Sequence, residues 1–482
     1  MTALPPNMPA AALINGQWVT SKKTFPVFDP ATGEELARVP DLDAEHARQA
    51  IDAAAAAFPA WSAKTAKERC QIVRRWYDLI IAEADSLARL MTAEQGKPLT
   101  ESRGEVMYGA GFAEWFAEEG KRSYGKTIPT TAASKRYITI KQPIGVVAAI
   151  TPWNFPIAMI TRKCAPALVA GCTLVVKPSE ETPLCALALA KLAQDAGVPA
   201  GVFNVVTTLD APAIGKVLCD DDRVRKLTFT GSTEVGRALY RQCAGTVKKL
   251  TLELGGNAPL IVFDDADLDQ AVTGTMGSKY RNAGQTCVCA NRILVQAGIY
   301  DKFAAALSAA VEKLHVAPGS DPKSTIGPLI NKEATEKVSA LVTDATAKGA
   351  KNKIGGTQSV SGGLFVRPSV LTGVTQDMAI TQEEIFGPVA ALIKFDTEAE
   401  AIEIANGTPF GLAAYLFSQN IARAWRVAEK LEAGMIGVNE GIFSNEVAPF
   451  GGVKQSGLGR EGAAEGLEDY METKFICLGG IT

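Results

Sequence analysis

Between residues 144 and 254 the chain switches repeatedly between short β-rich runs and helical stretches, and no other feature narrows its fold as much. The runs cover 144–150, 173–177, 202–206, 226–230 and 249–254, and the spacing predicts helices between them from about Ile157, Pro183, Pro212 and Ser232. Repeated βαβ units give a parallel sheet covered by helices on both faces, with ligands bound beyond the carboxyl ends of its strands. A second α/β set begins near Pro259, with runs at 260–263, 293–296, 390–395 and 435–438. Helical spacing also covers 43–58 and 66–91. The stretches 135–141 and 470–478 read as strands with no obvious neighbour, and two such edges point to an oligomer.

At 482 residues the chain has room for two or three domains of roughly 150 residues each. With 47% hydrophobic and 21% charged residues it has the composition of a soluble globular protein. A net charge of −3 gives no basic field for nucleic acid, and apolar stretches such as 144–150 are too short to span a bilayer. Pro5, Pro6 and Pro9, with no basic region ahead of an apolar stretch, do not read as a signal peptide. Nine scattered cysteines without framework spacing fit free thiols in a reducing cytoplasm. The only histidines are His46 and His315, which nearly excludes a Ser/His/Asp triad or a multi-histidine metal site. No metal is expected, and a catalytic base has to be a carboxylate, lysine or similar group.

Four short motifs carry candidate chemistry, each with a plainer reading beside it. FTGSTEVG at 229–236 joins a strand to a helix: Gly231 permits the turn and Ser232 caps the helix, whose free N–H groups suit a pyrophosphate. Lys177, Ser179 and Glu180 end another strand, where lysine and carboxylate can grip ribose hydroxyls or form a surface ion pair. Glu253 ends an apolar strand before two glycines, as a general base in a crevice or as a loop cap. Cys287 lies on the polar loop GQTCVC at 284–289, where a thiol is either a nucleophile or structural.

Taken in order, TPWNFP at 151–156, KPSE at 177–180, the segment 229–236, LELGG at 252–256, GQTC at 284–287, EEIFGP at 383–388 and PFGG at 449–452 resemble the aldehyde dehydrogenase superfamily over nearly the whole chain. The resemblance implies a Rossmann-type parallel-sheet cofactor domain over 1–128 and 143–255. It also implies an α/β catalytic domain over 256–445, and a small β oligomerisation arm with C-terminal segment over 129–142 and 446–482. It makes Cys287 the nucleophile, Glu253 the base that activates water, and Asn154 with the Cys287 N–H the oxyanion hole. Lys177 and Glu180, with Ser179 beside them, would hold the adenosine ribose, and Gly231 and Ser232 the pyrophosphate. Glu384 and Phe386 would hold the nicotinamide ribose and ring, and Trp153 would lie along the cofactor. Relatives often carry glycine where Val206, Thr207 and Thr208 run on, which bears on the adenine side of the pocket.

Within the superfamily the chain is most similar to succinate-semialdehyde dehydrogenases, through ITRK at 160–163, KYRNAGQTCVC at 279–289 and SNEVAPFGG at 444–452. That implies Arg162, Arg281 and Ser444 as the clamp on the substrate's far carboxylate, and 4-aminobutyrate degradation as the setting. Glutarate semialdehyde is the alternative substrate, and an inactive binding protein on the same fold is the remote one. Cys289 matches relatives whose catalytic loop closes a disulfide; residues two apart in an extended chain lie roughly 6.5 Å apart, so the loop would have to bend. Glu180 accepts from ribose hydroxyls and repels a 2′-phosphate, which favours NAD, with NADP possible. The partners implied are a small carboxylated aldehyde and copies of the chain in a homodimer or homotetramer.

Overall fold

The computed structural model describes residues 9–355 and 363–481; Pro5 and Pro6 lie outside them. Its first sheet has eight strands in the order Gln17–Val19, Ala12–Ile14, Phe203–Val205, Thr173–Lys177, Val146–Ile150, Val224–Thr230, Lys249–Glu253 and Gly457–Leu458. The five inner strands run parallel, and antiparallel strands close both ends of the row. Thr173–Lys177 is buried on both faces, which is why these strands read as apolar runs without alternation.

The second sheet has seven strands in the order Lys351–Ile354, Ser369–Thr372, Val389–Phe395, Ala290–Gln296, Ala258–Val262, Ala413–Phe417 and Met435–Val438. All of its pairings are parallel except that of Lys351–Ile354 with Ser369–Thr372. The two strands read from sequence without neighbours pair with each other. Met471–Leu478 runs antiparallel to Arg136–Pro143, which in turn pairs with Lys126–Ile128. Phe475 stands over Tyr137 across that pair, with ring centroids 5.4 Å apart.

Helix Ala66–Ala82 starts at a capping box in which Thr65 and Glu68 satisfy each other's backbone N–H. The single helix expected over 66–91 is two: Glu83, at φ −99° and ψ 14°, separates it from helix Ala84–Gln95. The amphipathic spacing continues across the break, so periodicity does not reveal it. Helix Ala158–Ala170 is buried along its whole length, yet it carries Arg162 and Lys163. Charges in such a place demand a partner.

Trp76 joins helix Ala66–Ala82 to the parallel sheet. It is fully buried, donates to the Leu189 carbonyl at 3.1 Å and meets Phe203 edge-on at 6.0 Å. Trp76→Ala should cost about 3–5 kcal/mol and lower the thermal midpoint by several degrees, read by calorimetry; an unchanged midpoint contradicts this packing.

Candidate active site

The chain leaves strand Val146–Ile150 toward one edge of the first sheet and returns on its other side as Val224–Thr230, so a crevice opens where their carboxyl ends diverge. Trp153 and Asn154 follow the first strand, and Gly231 and Ser232 the second. All four line a cavity of about 280 Å³ that also takes in Cys287, Glu384 and Phe386. Ser232 accepts from the Val235 N–H at 3.3 Å and so caps helix Thr233–Cys243, whose N-terminus faces the cavity. A Cβ on Gly231 would fall 2.4 Å from the Phe229 ring.

The hydroxyls of Thr230, on that cavity, and of Thr233, in the first turn of the helix, are buried without a hydrogen-bond partner. Together with the helix N-terminus they fit a polar, anionic ligand such as a dinucleotide. Trp153 meets Phe386 edge-on at 5.6 Å, and Phe386 itself sits at φ 51°. Glu384 accepts from the Gly256 N–H at 3.2 Å, and burial pushes its carboxyl up to about 7.

Lys177, Ser179 and Glu180 stand at the end of the neighbouring strand and do not line this cavity. Lys177 Nζ lies 2.9 Å from Glu180 Oε2, Ser179 Oγ accepts from the Glu181 N–H at 3.3 Å, and the Lys177 carbonyl accepts from Thr151 N–H at 3.1 Å. Thr207 and Thr208 are buried against the segment after strand Glu35–Pro40, where Thr207 Oγ1 donates to the Pro40 carbonyl at 2.7 Å. They do not line the cavity either.

A second cavity, of about 310 Å³, opens on the other side of Cys287 and is lined by Tyr108, Arg162, Arg281, Ser444 and Phe450 among others. Phe155, Met159 and Cys287 line both cavities. Cys287 follows three consecutive residues in the left-handed region, Asn282 (φ 50°), Ala283 (φ 53°) and Gly284 (φ 76°). A Cβ on Gly284 would lie 2.2 Å from the Gly387 carbonyl, so the turn needs glycine on both counts. Burial pushes the Cys287 thiol up to about 12, with Arg162 and Arg281 drawing it down and Glu384 and Glu253 raising it. Asn154 Nδ2 donates to the Gln285 carbonyl at 3.0 Å, two residues before the thiol. The Cys289 thiol is buried and donates to the Lys279 carbonyl at 3.2 Å, while the Cys289 N–H donates to the Thr286 carbonyl at 3.1 Å. The loop therefore bends at this point, with both thiols free.

The two arginines differ in their surroundings. Arg281 has its guanidinium 5.6 Å from the Phe155 ring, its Nε is buried without a hydrogen-bond partner, and no ion pair to it occurs among the described residues. Arg162 is already engaged. Its Nε lies 2.6 Å from Glu461 Oε2, close enough for an ion pair though not aligned for a hydrogen bond, and its guanidinium stacks 4.2 Å over Phe450.

Glu253 is 2% exposed, and neither carboxyl oxygen has a hydrogen-bond partner. It lines neither cavity, and its Oε1 crowds Gly451, where a Cβ would come within 2.8 Å. Burial, then the Glu461 carboxylate, push its carboxyl well above the usual range, against the pull of Arg162 and Lys163. Glu461 goes the other way: Lys163 and Arg162 outweigh its burial and hold it below the ordinary value.

A family model described as the aldehyde dehydrogenase family matches residues 18–476. The chain belongs to the aldehyde dehydrogenase family. It is 58% identical to succinate-semialdehyde dehydrogenase [NADP(+)] of Escherichia coli (strain K12), covering 97% of each chain. It is 57% identical to glutarate-semialdehyde dehydrogenase of Pseudomonas aeruginosa, covering 98% of each. A solved aldehyde dehydrogenase from Brucella melitensis biovar abortus superposes with a TM-score of 0.98 at 59% identity, covering 99% of both chains.

In this aldehyde dehydrogenase the sequence reading missed Glu461, Lys97 and Glu105. Lys163 and Glu461 are ion-paired across 298 residues, and Thr228 Oγ1 donates to the same carboxylate at 3.3 Å. Lys97 is ion-paired with Glu105 and donates to the Asn154 carbonyl at 2.7 Å. The available signal was two cations in an apolar helix, which requires a buried acid without saying which one. Glu461→Gln should cost about 3–5 kcal/mol at neutral pH, because it strands Arg162 and Lys163. The folded Glu461 carboxyl titrates below its unfolded value of 4.5, so this stabilisation is present above 4.5 and is lost as pH falls through the folded value. The gap between variant and wild type should therefore hold at pH 7 and narrow progressively as pH falls below 4.5, read by urea unfolding at pH 7 and at a series of values below 4.5.

Proposed function

We propose that this aldehyde dehydrogenase oxidises succinate semialdehyde to succinate, with Cys287 as nucleophile and Glu253 as the base that activates water. The observation that carries the reading is that Cys287 is the one thiol on both cavities: one side fits a dinucleotide, the other offers Arg281 without an ion-pair partner among the described residues.

Cys287 attacks the aldehyde carbon as its thiolate, the form that Arg162 and Arg281 favour against burial, and the oxyanion that forms takes hydrogen bonds from Asn154 Nδ2 and the Cys287 N–H. One N–H of the Asn154 amide is held by Gln285, which leaves the other for the oxyanion. Bound nicotinamide supplies the hydride acceptor. A thioester is left on Cys287, and Glu253 takes a proton from the water that hydrolyses it. Burial favours neutral Glu253 at rest, so its ionisation rests on the nearby charges of Arg162 and Lys163. Lys177, Ser179 and Glu180 serve the adenosine ribose, Gly231 and Ser232 the pyrophosphate, Glu384 the nicotinamide ribose, and Phe386 and Trp153 the ring. Glu180 favours NAD over NADP, since a 2′-phosphate would meet its carboxylate.

Arg281 takes the far carboxylate with Ser444, while Arg162 contributes the part of its guanidinium that Glu461 does not engage. We divide the chain at 128, 142, 255 and 445; across these bounds strand Lys126–Ile128 pairs into the arm, Gly457–Leu458 extends the first sheet and Val453–Lys454 pairs with Phe410–Gly411. A homodimer or homotetramer is favoured by the exposed Phe475 and Leu478 on the last strand. No helix among the described residues is long and apolar enough to cross a membrane, and nine free thiols fit the cytoplasm.

A panel of aldehydes with NAD and with NADP, following reduced nicotinamide, tests the reading. The highest kcat/KM is expected for succinate semialdehyde with NAD; a preference for glutarate semialdehyde, for uncharged aldehydes or for NADP overturns the corresponding part. Arg281→Ala should lose roughly 100-fold or more in kcat/KM on succinate semialdehyde and far less on an uncharged short aldehyde. Equal losses on both refute the carboxylate clamp.

A further inference from the structure

Asn282 has no part in the chemistry above, yet it ties together the groups that perform it. Its Nδ2 donates to the Asn154 carbonyl at 3.1 Å and to the Gln285 carbonyl at 3.3 Å. Its own carbonyl accepts from Gln285 N–H at 3.0 Å and from Gln285 Nε2 at 3.2 Å. Its N–H donates to Glu101 Oε2 at 2.8 Å. The Asn154 side chain donates to the same Gln285 carbonyl at 3.0 Å. One amide thus grips the main chain of the oxyanion asparagine and the main chain two residues before the nucleophile. Lys97 completes the brace from the opposite side, through its 2.7 Å bond to the Asn154 carbonyl.

The backbone adds a second constraint. Asn282 sits at φ 50° and ψ 39°, a conformation that asparagine, aspartate and glycine tolerate and other residues resist. Glycine would satisfy the backbone but remove the amide that links the two carbonyls, leaving the Asn154 carbonyl to Lys97 and the Gln285 carbonyl to the Asn154 amide. Aspartate would satisfy the backbone and set a carboxylate against those carbonyls. Asparagine alone among the three meets both demands.

We infer that Asn282 is a positioning residue that fixes the Asn154 amide and the Cys287 loop in one register, held in its left-handed conformation by Glu101. The inference rests on the reading of Cys287 as nucleophile and Asn154 as oxyanion donor. It adds that their alignment is set by a side chain that touches neither substrate nor cofactor. The cost of losing it falls on the chemical step, since a misplacement of about 1 Å at a reacting centre is worth on the order of 100-fold.

The test is the full-length Asn282→Gly and Asn282→Asp variants beside wild type. Four quantities are read: kcat with succinate semialdehyde, dissociation constant for NAD, thermal midpoint, and rate of Cys287 alkylation by iodoacetamide followed by mass spectrometry. The expected result is a fall in kcat of about 100-fold in both variants, with NAD affinity close to wild type in both, a thermal midpoint close to wild type in Asn282→Gly and lowered in Asn282→Asp, whose buried carboxylate faces two carbonyls, and an altered alkylation rate at Cys287. A wild-type kcat in either variant overturns the inference, because backbone conformation alone would then suffice. Parallel losses of kcat, NAD affinity and thermal midpoint also overturn it, by assigning Asn282 to general packing. A wild type that stays active after complete alkylation of Cys287 refutes the proposed function instead, and the two failures are thereby distinguished.

Discussion

The site hangs on one buried carboxylate. Glu461 neutralises Arg162 and Lys163, neighbours on a helix that has no exposed residue. Its backbone also exchanges hydrogen bonds with Phe450, at 2.7 and 2.8 Å, and Phe450 lies under the Arg162 guanidinium. That single residue therefore pins the C-terminal segment to the wall of the second cavity. It also bears on Glu253: the ionised Glu461 opposes ionisation of that carboxyl, while the two cations it holds in place favour it. Two carboxyls with shared neighbours are pushed in opposite directions, the arrangement expected where one acts as a fixed counter-charge and the other moves a proton.

The same arithmetic of charge bears on substrate choice. The second cavity carries Lys97, Arg162 and Arg281, but Lys97 is matched by Glu105 and Arg162 by Glu461. Arg281 is the cation left without an ion pair among the described residues, although Glu101 lies near enough to influence and be influenced by it. A ligand with a carboxylate at its far end supplies Arg281 with an ion-pair partner, and an apolar one does not. Specificity on this account is a matter of one unpaired guanidinium more than of two.

How much of this was legible in the sequence follows from how each feature is encoded. The strands between 146 and 253 emerged nearly at their true bounds because parallel strands covered on both faces are rich in apolar and β-branched residues, as in Val146–Ile150 and Thr173–Lys177. The strands Ala12–Ile14 and Gln17–Val19 did not, because three-residue edges carry no period and the first finds its partner at Val205. The orphan strands were visible, but their pairing with each other was not, since nothing local relates Arg136–Pro143 to Met471–Leu478. Within the site, Cys287, Glu253 and Asn154 stood out through their motifs. Glu461 and Asn282 did not, because their meaning lies in contacts with Lys163, Asn154 and Glu101 that only the folded chain brings together.

The central claim is that a thioester forms on Cys287 and that Glu253 is needed to hydrolyse it. It is tested most directly by mixing Glu253→Gln with succinate semialdehyde and NAD, quenching in acid and measuring the intact and peptide masses. The account predicts a succinyl adduct accumulating on the Cys287 peptide together with a burst of reduced nicotinamide that stops near one equivalent. Steady turnover without an adduct, or an adduct on any other cysteine, would contradict it.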